Sequence, residues 1–409
     1  MVGGGPAPGI NAVIAAATIQ ARNSGCEVVG ILDGYRWLSH GDISHVRMLQ
    51  VADVSRIHFR GGSILRTSRA NPTRHPHQLE AVAKALRQLE VRALLSIGGD
   101  DTAYTASQLL EVDPDLRIAH VPKTIDNDLP LPPEIPTFGF ETARHCGVSI
   151  VERIMEDALT TGRWYVLVAM GRKAGHLALG IGKAAGATLT LIPEEFARSR
   201  LSLSQLADLI EGSMIVRRAA GREDGVVVLA EGLAECLDPA ELGGLEDVDR
   251  DDHGHVRLSE LPLGPLLKTE LRTRLGRRGI DLKIVSKDIG YELRCADPIP
   301  FDSEYARDLG YGAACFLLAA NGSAMITRQG GRILPVPLDS LRDPATGRTR
   351  IRLVDVESDS FVVAGRYMIR LRARDLEDPI RAAALAEAGG TTVEALRELC
   401  VPFPGNQRP

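Results

Sequence analysis

The chain has 409 residues, which at about 100–200 residues per domain implies two or three domains. Its 44% hydrophobic and 25% charged residues are the ordinary globular mix and exclude a disordered or fibrous protein. A net charge of −5, no apolar run long enough to span a bilayer and no signal-like start point away from nucleic acid, membrane and export, so the expected location is the cytoplasm.

The first segment of interest is Gly3-Gly4-Gly5-Pro6-Ala7-Pro8-Gly9, followed by a helix predicted over Ile10–Ala21. Glycines let backbone N–H groups approach an anion, and the helix supplies the positive end of its dipole. The plain alternative is a Gly/Pro-rich turn. Such a loop normally follows a buried strand, and only Met1 and Val2 stand before it here. The expectation is a chain that starts several residues late or a severely shortened strand, and a missing central strand would leave neighbouring backbone groups unpaired.

Further on, Leu79, Val82, Ala85, Leu86 and Leu89 recur at helical spacing. Two short apolar runs, Ala93–Ile97 and Arg117–Val121, end in polar clusters: Gly98-Gly99-Asp100-Asp101, then Pro122-Lys123-Thr124-Ile125-Asp126-Asn127-Asp128. Strands alternating with amphipathic helices predict an α/β protein with mostly parallel sheets. In such sheets ligands bind beyond the carboxyl ends of the strands, which is where both clusters fall.

The rhythm pauses after Pro136 and resumes at Trp164–Met170, Ala187–Ile192, Gly225–Ala230 and Leu282–Ile289. The expected organisation is one α/β domain over residues 1–139 and 294–345 and a second over 140–293, with an acidic insertion at about 236–260. A C-terminal extension, 346–409, is predicted to carry an alternating strand over Thr349–Val354 and a helix around Val393–Leu399. The extension serves to stiffen the domains or to form an oligomer contact, with nothing catalytic in it. No repeat of 20–50 residues is visible.

Single residues carry two readings each. Asp100 and Asp101 could hold Mg²⁺, directly or through water, or simply start a helix; the adjacent pair exceeds what a helix start needs. Lys123 with Thr124, Asp126 and Asp128 suits proton abstraction from a hydroxyl beside a bound phosphate, against the plain reading of an Asn-Asp turn. Only seven of the 48 basic residues are lysines, so a lysine inside a motif is less easily accidental. Arg69, Arg163, Arg172 and Arg294 are available as forks for phosphate oxygens, while Arg66 reads as a surface residue. Six scattered cysteines without CxxC pairs suit a reducing compartment and argue against structural zinc. Asp247, Asp249 and Asp251 mimic the start of a calcium loop, but Asp252 and Leu258 stand where glycine and glutamate belong, so a solvated insertion with exposed His253 and His255 is expected. His176 reads as a packing residue.

Seven separated motifs, GGGPAPGIN, GGSILRTSRANP, GGDD, PKTIDND, MGRKAGH, AEG and GYELRCADPIPFD, follow one another as in the phosphofructokinase family, over roughly residues 3–325. The chain resembles that family. The resemblance implies two Rossmann-like three-layer domains, the first binding a phosphoryl donor and the second a sugar phosphate. It also implies transfer of a phosphoryl group to the 1-hydroxyl of fructose 6-phosphate, with Mg²⁺. It makes Asp126 the general base, Asp100 the magnesium-associated carboxylate and Asp128 a support for metal or base. Thr124, Met170, Gly171, Arg172, Glu231, Tyr291 and Arg294 are implied to line the sugar-phosphate site. Arg163 matches an arginine that reaches across a subunit boundary, so a homodimer or homotetramer is implied. Gly5 and Arg69 are implied to face the donor.

Members that use ATP carry glycine where Asp101 and Lys123 stand, and GGDD with PKTIDND looks like the pyrophosphate-using branch. An aspartate there fills the space of a nucleotide's α-phosphate and adds a like charge. At about 4 Å and an effective dielectric near 20 that repulsion is on the order of 4 kcal/mol before screening. Lys123 adds a cation for pyrophosphate or leaving phosphate, so exclusion and attraction both choose the donor. One departure bears on the acceptor. Val285 replaces a family arginine six residues before Tyr291, with Lys283 or Lys287 as substitutes, and sedoheptulose 7-phosphate is an additional acceptor to consider. The competing functions are an ATP-dependent kinase and a non-catalytic sugar-phosphate sensor; the intact Asp100, Asp126, Asp128 and Arg172 disfavour the sensor.

Overall fold

The computed structural model describes residues 1–132, 135–196, 200–238, 261–338 and 350–400. Ten strands occur among them: β1 (Val29–Ile31), β2 (Val46–Met48), β3 (Ala93–Gly98), β4 (Arg117–Pro122), β5 (Arg163–Ala169), β6 (Leu189–Leu191), β7 (Gly225–Ala230), β8 (Lys283–Ile289), β9 (Ala324–Gln329) and β10 (Arg332–Val336). The chain divides into two compact units, Met1–Ala143 with Tyr291–Arg352, and Arg144–Gly290 with Leu353–Pro409.

The first unit is built on a sheet of order β10-β9-β4-β3, with β3, β4 and β9 parallel and β10 antiparallel at the far edge. Strand alternation sets its two faces. Ile118 and Met325 pack with Leu79, Val82 and Leu86 of the helix Pro76–Gln88 and with Leu109 of the helix Asp100–Val112. Ala119, Val121 and Ile326 point the other way, onto Ile10, Val13 and Ile14 of the helix Ile10–Asn23 and onto Tyr305 and Leu309 of the helix Pro300–Leu318. Helices on both faces of a mostly parallel sheet make the expected three layers. A short antiparallel ribbon, β1-β2, accompanies them.

Met1 and Val2 do run alongside β3. Val2 bridges Ile97 in parallel, the Ile97 amide donates to the Met1 carbonyl at 3.0 Å, and the Gly3 amide donates to the Ile97 carbonyl at 2.8 Å. The Met1 ammonium is buried and donates to the Leu95 carbonyl at 2.9 Å. Burial lowers its pKa from 8.0 to about 5, because the charged form loses hydration there. Beside it lies a cavity of about 580 Å³, lined by residues that include Val28–Ile31 and Ala93–Leu95. The two residues before the glycine loop thus make β-pairing enough to anchor it on the edge of β3.

The second unit has an all-parallel sheet of order β6-β7-β5-β8. Every residue of β7 is buried, as expected for a strand covered on both faces. Trp164, fully buried, lies so close to Gly225 across the β5–β7 pair that any side chain there would meet the indole at 2.5 Å. Leu371, Leu376, Leu385, Leu396 and Leu399 close a further cluster with Ile215 of the helix Leu203–Ala219, so the described residues from Leu353 onward belong to this unit.

One predicted element is absent from the described residues. Residues 350–354 form no strand; Arg352 gives its amide to the Asp128 carbonyl and Val354 gives its amide to the Glu194 carboxylate. An alternating pattern specifies a strand only where a ladder partner exists, and these amides go to separate partners instead. The helix Val393–Glu398 is present as expected. The acidic run Asp247–Asp252, with His253, His255 and Leu258, lies outside the described residues.

Candidate active site

In the first unit three loops at the carboxyl ends of the strands meet. The Lys123 amide donates to the Gly98 carbonyl at 2.8 Å, placing the loop after β4 beside the loop after β3. The Lys123 side chain, only 4% exposed, donates from Nζ to the Gly5 carbonyl at 2.5 Å and so joins the first glycine loop. A side chain on Gly3 would meet Thr102 Oγ1 at 2.5 Å, and one on Gly4 would meet Lys123 Nζ at 3.2 Å in a left-handed backbone. Contact favours glycine at Gly3, and the left-handed backbone favours it at Gly4. The same loop pairs with the second glycine-led segment: Gly4 N–H donates to the Ser68 carbonyl and Thr67 Oγ1 donates to the Gly4 carbonyl at 2.5 Å. That leaves Arg69 exposed next to this junction, while Arg66, also exposed, pairs with Asp33 at 3.7 Å.

Asp100 and Asp101 occupy the first two positions of the helix Asp100–Val112, behind Gly99, which caps it without a side-chain bond. They therefore sit at the positive end of the helix dipole, where a carboxylate is stabilised and where a bound phosphate would compete with it. Asp100 is half-buried and Asp101 exposed. Asp126 is 7% exposed, and its backbone N–H donates to Thr124 Oγ1 at 3.0 Å. Asn127, between the two aspartates, holds φ at +57°. Its Oδ1 accepts the Thr137 amide at 3.0 Å, and Thr137 Oγ1 donates to the Thr124 carbonyl at 2.6 Å, which fastens the far side of the loop. Tyr291 is 80% exposed, and the Arg294 guanidinium lies over its ring at 5.4 Å. Arg294 also packs on the glycine loop, its Cζ 3.5 Å from where a Gly5 side chain would start.

In the second unit Met170, Gly171, Arg172 and Glu231 meet at the carboxyl ends of β5 and β7. Met170 N–H donates to the Ile289 carbonyl of β8, Glu231 N–H to the Ala169 carbonyl, and Gly171 N–H to Glu231 Oε2 at 3.1 Å. Arg172 is exposed with φ +51°, a conformation that costs a non-glycine residue on the order of 1 kcal/mol or more. The turn is held there by close packing, since a side chain on Gly232 would meet the Arg172 carbonyl at 2.4 Å. Of the two lysines near Val285, Lys287 is nearer this end of β8, and alternation puts both on the Val285 face of the strand. Arg163 is not with this group. It begins β5, so the seven-residue strand separates it from Met170, and its Nε is buried without a hydrogen-bond partner.

Among the described residues no three His, Cys, Asp or Glu side chains gather into a metal cage. The carboxylates at hand are Asp100 and Asp101 at the helix start and Asp126 and Asp128 in the neighbouring loop, and a magnesium ion needs one or two such ligands beside water and substrate phosphates. His176 starts the helix His176–Ala185 and is half-buried. The residue that sequence reasoning overlooked is Arg352, whose guanidinium reaches the Asn127 loop from 225 residues away; no local pattern could have announced it.

Comparison with known proteins agrees with this geometry. The phosphofructokinase family model matches residues 1–317. The chain is 52% identical over 385 residues to the pyrophosphate–fructose 6-phosphate 1-phosphotransferase of Thermotoga maritima, covering 93% of this chain and 92% of that one. It is 49% identical to the protein of the same name from Naegleria fowleri, over 96% and 92% of the two chains. A solved pyrophosphate-dependent phosphofructokinase from Nitrosospira multiformis shares the fold at TM-score 0.67 and 18% identity, covering 95% of this chain and 90% of that one. The phosphofructokinase solved from Saccharomyces cerevisiae aligns at TM-score 0.63 and 22% identity over 83% of this chain, which spans only 43% of that longer one. With the family model matching more than three quarters of its length and the glycine, GGDD and TIDND loops joined as described, the chain belongs to the phosphofructokinase family.

Proposed function

We infer that this chain transfers a phosphoryl group from pyrophosphate to the 1-hydroxyl of fructose 6-phosphate, reversibly, giving fructose 1,6-bisphosphate and phosphate. The observation that carries the choice of donor is Lys123, a buried cation seated on the first glycine loop, together with Asp101 at the start of the neighbouring helix. The names of the relatives at 52% and 49% identity support it.

In this reading the N–H groups of the glycine loop and the Lys123 ammonium hold pyrophosphate, with Gly5 and Arg69 facing it. Asp101 occupies the place of a nucleotide's inner phosphate. Asp100 holds Mg²⁺ together with the donor phosphates, and Asp128 supports metal or base; the ion neutralises charge on the transferring group. Asp126 takes the proton from the sugar hydroxyl. Thr124, Met170, Gly171, Arg172, Glu231, Tyr291 and Arg294 bind the sugar phosphate. Catalysis here is positioning and charge stabilisation, with little covalent work for the protein. Arg163, at the opposite end of β5 from Met170, serves a second copy of the chain in a homodimer or homotetramer. The six cysteines stand as thiols, which suits the cytoplasm.

The test is a pair of initial-rate measurements with fructose 6-phosphate and Mg²⁺, one with pyrophosphate and one with ATP. Turnover with pyrophosphate at least about 10²-fold above that with ATP is expected from the repulsion at Asp101. Equal rates, or ATP alone, would overturn the assignment.

A further inference from the structure

The loop that leaves β4 carries the proposed base and is closed by a single isolated bridge, Lys123 to Phe138, rather than by a ladder. Its carbonyls at Asn127, Asp128, Pro132 and Ile135 turn instead to one residue far along the chain. Arg352 donates from Nε to the Asn127 carbonyl at 3.0 Å, and from Nη1 to the Ile135 carbonyl at 2.8 Å and the Pro132 carbonyl at 3.3 Å. Its Nη2 donates to Asn127 Oδ1. Its backbone amide donates to the Asp128 carbonyl at 2.7 Å. Thus one guanidinium and one amide grip both ends of the loop and the residue between Asp126 and Asp128.

That grip has a directional consequence. Asn127 is left-handed, a backbone state a non-glycine residue keeps only when its surroundings hold it there. Rotation about Asn127 would swing Asp126 on one side and Asp128 on the other. Arg352 holds the Asn127 carbonyl and side chain simultaneously, so both torsions are fixed. Burial holds the Arg352 pKa below the usual arginine value, with the Asp128 carboxylate acting against that effect; a guanidinium is charged at neutral pH all the same. A planar fork with five N–H donors can serve four acceptors in different directions; an ammonium has three donors at one point.

We propose that Arg352 is a positioning residue for the phosphoryl transfer: its guanidinium and backbone amide lock the Asn127 turn and so aim the carboxylates of Asp126 and Asp128. The proposal rests on the function inferred above for Asp126. It assigns a role in the reaction to a residue in the part of the chain from which nothing catalytic was expected.

The experiment compares wild type with Arg352→Ala and Arg352→Lys by two independent readouts. The first is steady-state kinetics with pyrophosphate, with and without low-millimolar guanidinium chloride. Misplacement of the base lowers kcat by about 10²-fold while KM for fructose 6-phosphate stays within about threefold. Guanidinium should restore a severalfold part of kcat to Arg352→Ala, and the lysine variant should remain as slow as the alanine one. The second is hydrogen–deuterium exchange, which needs no turnover. Amides of residues 124–138 should exchange faster in both variants, with β3 and β9 unchanged. Full kcat in Arg352→Lys, a KM effect without a kcat effect, or unchanged exchange in the loop would each overturn the proposal. A wild type inactive with pyrophosphate would overturn the functional reading instead, and the exchange data would still decide whether Arg352 locks the turn.

Discussion

The Lys123 ammonium meets the Gly5 carbonyl at 2.5 Å, a bond that ties the loop bearing Asp126 to the first glycine loop across 118 residues. Replacing Lys123 with methionine retains the bulk and removes the charge. We expect kcat/KM for pyrophosphate to fall by about 10²–10³-fold, as for loss of one charge-stabilising donor. Initial rates against pyrophosphate concentration measure it, and a change under threefold would show that the lysine only braces the loop.

Asp101 stands at the second position of its helix, exposed, and the proposed function has it exclude a nucleotide by charge and volume. In Asp101→Gly, turnover with ATP should become measurable, rising about tenfold or more as a repulsion of a few kcal/mol is relieved. Pyrophosphate activity lost with no gain on ATP would mean that the aspartate binds the donor rather than rejecting the competitor.

Asp126 is the proposed base. Asp126→Asn keeps the shape and removes the proton acceptor, and kcat should drop by about 10²–10⁴-fold with thermal stability close to wild type. Unchanged turnover would remove Asp126 from the reaction.

Asp302, fully buried, accepts from Gly139 N at 2.8 Å, Thr142 N at 2.6 Å and Thr142 Oγ1 at 2.6 Å. Burial raises its pKa, against the lowering effect of those same bonds. Asp302→Ala leaves several buried donors unsatisfied at about 1–3 kcal/mol each, so a destabilisation near 3 kcal/mol is expected in chemical denaturation. A shift below 0.5 kcal/mol, about the level of a neutral surface change, would contradict that accounting.

Much of the architecture was legible because it is periodic. β3, β4, β5, β7 and β8 lie within a residue of the apolar runs that announced them, and β6 is a shortened version of its run. The β9–β10 hairpin went unread although Gly330 and Gly331, both with positive φ, are an ordinary two-residue turn signal between apolar runs. The Thr349–Val354 pattern misled for the opposite reason: alternation was present in sequence, but the amides of Arg352 and Val354 found acceptors elsewhere.

Sequence alone determined the family and the residue types that stand in its glycine, GGDD and PKTIDND loops, because each is read at short spacing. Tertiary structure decided which groups touch: Lys123 on Gly5, Arg294 against Gly5, Arg352 around Asn127. Those contacts join residues more than a hundred positions apart, and no local propensity encodes them. They exist only once the sheet and its helices have packed and brought the loops within hydrogen-bonding distance, about 3 Å.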